Sequence, residues 1–136
     1  MRRTNVLLAA VAALGTVAAV TGTASAADDV LLPHPGPDGL VWVPEQTGDG
    51  GVVSAGANPG LPTVLTVACE GGGSVQVTMR SQETPVADFS VDCPAGTADV
   101  GSVTLDPGVV QWGSFSVGID ASAETIRWAL TVTQPE

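Results

Sequence analysis

Fourteen carboxylates, one imidazole, two thiols and no lysine or tyrosine set the chemistry open to this 136-residue chain. A serine nucleophile needs a neighbouring base, and His34 is the one imidazole available. It sits between Pro33 and Pro35 in the Pro-rich arm and reads as an exposed residue of that arm. No serine occupies a G-x-S-x-G elbow, since Ser114 stands where Ser116 would need the first glycine. Without lysine there is no Schiff base. Acid–base work by paired carboxylates is the remaining catalytic option. Asp88 and Asp92 share one strand face but stand four residues apart, about 13 Å by strand rise. That is wider than the pairs that hydrolyse glycosides.

No cofactor is expected; calcium is the one that the loop carboxylates would suit. Asp28-Asp29, Asp38-Gly39, Asp49-Gly50 and the run from Asp120 to Glu124 all offer oxygens, with Asp120 and Glu124 the chosen ligands. None of these segments has the D-x-D-x-D-G spacing of a calcium loop with its distal glutamate. Three tryptophans carry the largest apolar surfaces. Trp128 is in phase with Ile126 and Leu130 and belongs to a core. Trp42 and Trp112 are the candidate ligand-binding residues, able to offer a ring face to a sugar or to a protein groove. Trp42 has a second option, plugging its own segment onto the sheet.

Strands must position these groups. From Thr63 onward apolar residues recur at every second position: Leu65, Val67, Cys69; Val75, Val77, Met79; Phe89, Val91, Cys93; Val103, Leu105; Phe115, Val117, Ile119; Ile126, Trp128, Leu130, Val132. Alternation of this kind makes strands with one buried and one wet face. The connections are short and rich in turn residues, which favours antiparallel pairing over crossovers. The sum is an all-β antiparallel sandwich, immunoglobulin-like or jelly-roll-like, of about seven strands. Val110 and Trp112 are apolar at even positions, whereas Phe115 and Val117 are apolar at odd ones, so a bulge is expected at Gly113. Cys69 and Cys93 both end inward-facing sets and are expected to form a structural disulfide that caps one end of the core.

The termini and the charge bound the rest. Arg2-Arg3, an apolar run over 6–20 and Ala24-Ser25-Ala26 have the order of a cleaved signal peptide, assigned to 1–26. The apolar run is too short to span a bilayer. Residues 27–62 read as a Pro/Gly-rich extended arm with short edge strands at 40–43 and 52–53, and 63–136 as the main sandwich strands. Removing 26 of the 136 residues leaves 110, one domain's worth, with all 14 acidic residues but only Arg80 and Arg127 as cations. The formal charge of such a chain is 2 − 14 = −12. It would repel a phosphate backbone, so nucleic acid is excluded as a partner. No membrane span remains after cleavage, and the chain is expected outside the cell.

The alanine-rich leader, the acidic Gly/Val/Thr-rich remainder and the closing strand Ile126-Arg127-Trp128-Ala129-Leu130-Thr131-Val132 resemble small exported proteins of actinobacteria that carry no assigned function. The likeness is one of composition over most of the chain, and it implies export. Two characterised secreted β-families, the enediyne-carrying apoproteins and the subtilisin inhibitors, carry two disulfides where this chain can form one. The expected function is therefore a non-catalytic extracellular module. It would bind a surface polymer or a protein, or serve a structural role in the envelope. A carrier or inhibitor with a pocket or exposed loop is the first alternative, and a carboxylate-dependent hydrolase the second.

Overall fold

The strand-forming alternation is realised over eight segments. A computed structural model describes residues 30–136, so the expected signal peptide lies outside the described residues. The strands are β1 (Gly39–Thr47), β2 (Gly50–Ser54), β3 (Thr63–Glu70), β4 (Gly73–Ser81), β5 (Thr84–Cys93), β6 (Asp99–Leu105), β7 (Phe115–Ala121) and β8 (Arg127–Thr133). They form two four-stranded sheets, ordered β1-β8-β3-β6 and β2-β7-β4-β5, with every pairing antiparallel. This is the jelly-roll order, one strand more than the alternation suggested. The chain changes sheet at almost every connection. Only β4 and β5 form a hairpin between neighbours, so the short connections are mostly bridges between sheets rather than tight turns within one.

Between the sheets lies one apolar core. Leu65, Val67, Trp128, Leu130 and Val132 enter it from the first sheet, and Val75, Val77, Met79, Phe115 and Val117 from the second. Their register explains the packing. Leu65 pairs with Val132 on one side and Val103 on the other, so inward positions stack row by row. Cys69 and Cys93 join β3 to β5 across the core in a disulfide, S–S 2.11 Å, with both residues buried. The Trp128 indole N–H donates to the Gly48 carbonyl at 2.7 Å, which gives its polar edge a partner inside the core.

The segment around Gly113 differs from the bulged strand expected. Residues 106–114 form a loop, and β7 begins only at Phe115. Val110 drops into the core from this loop, while Trp112 faces out. Gly113 has φ +95°, so the change of parity marks the junction of loop and strand. The start of the arm lies across the outer face of the first sheet. Leu32 is buried there with Ala68 of β3 and Ala129 of β8. Edge strands β1 and β2 both come from the expected arm region, and both are longer than the short segments that suggested them.

Candidate functional site

The outer face of the β2-β7-β4-β5 sheet carries the site. Side chains at alternate positions point away from the core, so Gln76, Thr78 and Arg80 of β4 stand beside Asp120, Gly118 and Ser116 of β7. On the β5 side Ser90 pairs with Gln76 and Asp88 with Thr78; on the β2 side Gly51 pairs with Gly118 and Val53 with Ser116. Two depressions, about 240 and 380 Å³, adjoin at Thr78 and Gly118 and make one shallow groove along β4 and β7. It runs from the Gln76–Asp120 row to the Arg80–Ser116 row, four residues, or about 13 Å.

Two glycines open that groove. A Cβ on Gly51 would lie 2.4 Å from the Val117 carbonyl oxygen, so only glycine lets β2 sit this close to β7. A Cβ on Gly118 would meet nothing nearer than the Thr78 carbonyl oxygen at 4.0 Å. Its backbone could carry a side chain, and the space such a side chain would fill is the groove floor.

The lining is polar around Gln76, Thr78 and Asp120, and mixed at the Arg80 end, where Val52 and Val53 lie beside Ser116. The Gln76 amide donates to Asp88, and its carbonyl oxygen accepts from the Ser90 hydroxyl at 2.6 Å. Arg80 makes one long hydrogen bond, to the Glu83 carbonyl at 3.5 Å. Among the described residues it has no ion pair with a carboxylate. Arg127 is differently placed: it bridges Glu70 and Glu45 (2.7 Å to the latter) on the other sheet. Its pKa is raised above the usual arginine value, chiefly by the hydrogen bond to Glu70. The groove therefore offers an exposed guanidinium at one end, the Asp120 carboxylate at the other, and neutral hydroxyl and amide groups between. That set can exchange hydrogen bonds with a chain of hydroxyls. Asp88 and Asp92 lie on this wet face of β5, in separate rows.

The residues singled out from sequence fall in different places. Trp42 stands on the outer face of the other sheet, 38% exposed; its indole N–H donates to the Leu32 carbonyl at 3.1 Å, and the His34 ring meets it edge-on at 4.9 Å. His34 Nδ1 accepts from the Gly36 N–H, so the imidazole serves the arm. Trp112, 65% exposed, lies in the β6–β7 loop at the Arg80 end of the groove sheet. Asp120 lines the groove, whereas Glu124 lines a separate depression with Gly48, Asp49 and residues 121–123. Asp49 accepts there from the Ala121 N–H. Among the described residues no three His, Cys, Asp or Glu side chains are grouped to hold a metal ion. Nor is any helix there long and apolar enough to cross a membrane. Sequence reading passed over Gln76, Thr78, Arg80 and Ser116 as solvated positions. The signal that could have found them was Gly118, a glycine where the alternation of β7 calls for a polar side chain.

No protein-family model matches the sequence, and no curated protein does. Among solved structures, one described as "CBM4 structure and function" superposes with a TM-score of 0.50 at 9% identity, over 64% of this chain and 61% of that one. Another holds the CBM22 and GH10 modules of a Clostridium thermocellum endo-1,4-β-D-xylanase complexed with xylohexaose. Its TM-score is 0.41 at 14% identity, over 62% of this chain and 19% of that one. The chain spans about three-fifths of the length of the first structure. At these identities the likeness is one of fold: the chain is an antiparallel two-sheet β-sandwich of the kind found in CBM4.

Proposed function

We propose that this protein is a non-catalytic extracellular module that holds a carbohydrate polymer along the β4–β7 groove. The observation that carries the reading is the pair Gly51 and Gly118. They leave a trough across an otherwise side-chain-covered sheet, and hydrogen-bonding groups line it on both sides. An elongated trough suits a chain better than a compact metabolite. Its lining combines hydrogen-bonding groups at Gln76, Thr78, Asp120 and Ser116 with apolar surface at Val52 and Val53, a mixture that suits a sugar's hydroxyls and C–H faces. The CBM4 structure is that of a carbohydrate-binding module on the same fold, which agrees with a polymer as ligand. A buried disulfide suits an oxidising, extracellular setting.

The test is Gly118→Val. Valine suits a strand, finds open space at this position and fills the trough. Retardation in gels containing soluble β-glucan or xylan measures binding, and thermal denaturation checks the fold. The expected result is a loss of retardation of about tenfold or more in affinity with an undiminished melting temperature. Equal retardation of wild type and variant, or no retardation of wild type by any polysaccharide, overturns the reading.

A further inference from the structure

Trp112 is the most exposed tryptophan in the described residues, at 65%, and the backbone beside it is held at several points. On its N-terminal side Val110 is plugged into the core at 2% exposure. The Gln111 N–H donates to the Ser81 hydroxyl at 2.8 Å, and Ser81 is itself buried. The Trp112 carbonyl accepts from the Gln82 side-chain amide at 2.7 Å, and the Ser114 carbonyl accepts from the Gln82 N–H at 2.8 Å. So the residue before Trp112, Trp112 itself and the residue two after it are each tied to the end of β4. A loop that merely connected strands would not need this, and an indole left in water gains nothing from rigidity unless something docks on it.

Gln82 is also the first residue of the two-residue turn that joins β4 to β5, a position that takes a positive φ. Its φ is +58°, and it is the one described residue other than glycine with a positive value. A side chain with a Cβ is strained there, and glycine is the usual occupant. Glycine could not make the amide contact to Trp112. The turn and the contact come together beside the more exposed of the two surface tryptophans, Trp112 at 65% against Trp42 at 38%.

The position relates to the groove. Gln82 follows Ser81 at the end of β4, two residues past Arg80, and Ser114 lies two residues before Ser116. The tethered loop therefore stands at the Arg80–Ser116 end, where Val53 is also 75% exposed. Resting on the groove reading above, we infer that Trp112 forms a stacking subsite that extends the groove for a pyranose ring, with Gln82 as its positioning residue. A pyranose has an apolar face of C–H groups that matches an indole face, while its hydroxyls reach the polar lining. Rigid presentation lowers the ordering cost of that contact.

The test uses the purified protein and soluble β-glucan and xylan, with Trp112→Ala, Gln82→Glu, Gln82→Gly and Gly118→Val beside wild type. Gln82→Glu keeps the length but loses the N–H donor. Expected results are an affinity loss of about tenfold for Trp112→Ala and a several-fold loss for both Gln82 variants. Gln82→Gly should show no fall in melting temperature, since it relieves the left-handed strain. Bound polymer should also shield Trp112 fluorescence from acrylamide, and shield it less in Gln82→Glu. If Gly118→Val abolishes binding while Trp112→Ala binds like wild type, the subsite is wrong and the groove reading survives. If Trp112→Ala loses binding but the Gln82 variants match wild type in affinity and shielding, the positioning role is overturned. If Trp112→Ala instead changes the elution volume of the free protein, the ring docks on a second copy and the sugar subsite is refuted.

Discussion

At the scale of single residues, glycine is the informative type. Gly51 and Gly118 face each other across β2 and β7, yet they answer different needs. Gly51→Ala would force its new methyl against the Val117 carbonyl and push the edge strand away. Overpacking of this kind costs about 1–3 kcal/mol. Gly118→Ala meets no atom closer than ordinary contact, so it should be neutral or stabilise by up to ~1 kcal/mol through reduced backbone entropy. Urea denaturation of the two variants separates them. Equal destabilisation would mean that the space over Gly118 is not free. Neither role was legible in the sequence, where Gly51 falls within the expected Pro/Gly-rich arm and Gly118 only interrupts the polar positions of β7. What distinguishes them is the distance to a carbonyl on a partner strand, which no local pattern encodes. Trp128 is the opposite case. Its phase with Leu130 and Val132 is enough to assign it to the core, where the fold places it.

At the scale of elements, alternation carried most of the information. The six segments from β3 to β8 follow from period-two patterning, although β8 is buried on both faces because Leu32 covers Ala129, and Ala68 of β3, from outside. The inward direction of both cysteines followed from the same patterning. Their bridge closes a sequence separation of 24 residues. Loop closure on that scale stabilises by roughly 3 kcal/mol. Reduction, or Cys69→Ala with Cys93→Ala, should therefore lower the melting temperature by roughly 10 °C or more. An unchanged transition would show that the two sheets hold together without it. The groove was not legible at this scale, because it depends on which strands become neighbours. β4 and β7 are separated in sequence by β5 and β6, and only the jelly-roll order sets Gln76 beside Asp120. The parity change at Gly113 was visible but ambiguous: a bulge and a loop-to-strand junction leave the same mark on the sequence. The contacts of Val110 and Gln82 decide between them.

At the scale of the whole molecule, charge limits the ligand class. Beyond residue 26 two arginines face 14 carboxylates, and one of the arginines is engaged by Glu45 and Glu70. Long-range repulsion should keep polyanions off despite Arg80 in the groove. At ~0.01 M salt the screening length is about 30 Å, and at ~1 M about 3 Å. Pectate should not retard the protein at the lower salt, and retention of a neutral polymer should hardly change between the two. Tight, salt-sensitive binding of pectate would show that Arg80 outweighs the rest of the surface. The order of strands has a separate consequence. Of the eight described strands, the two latest in chain order, β7 and β8, do not sit at the margins; each is an interior strand of its sheet, wedged between earlier ones. Until they are synthesised β1 and β2 have no neighbour to bond, and neither layer can close. A nascent chain of this kind remains threadable through a narrow pore until β7 and β8 have both been made, and its two sheets lock when they arrive.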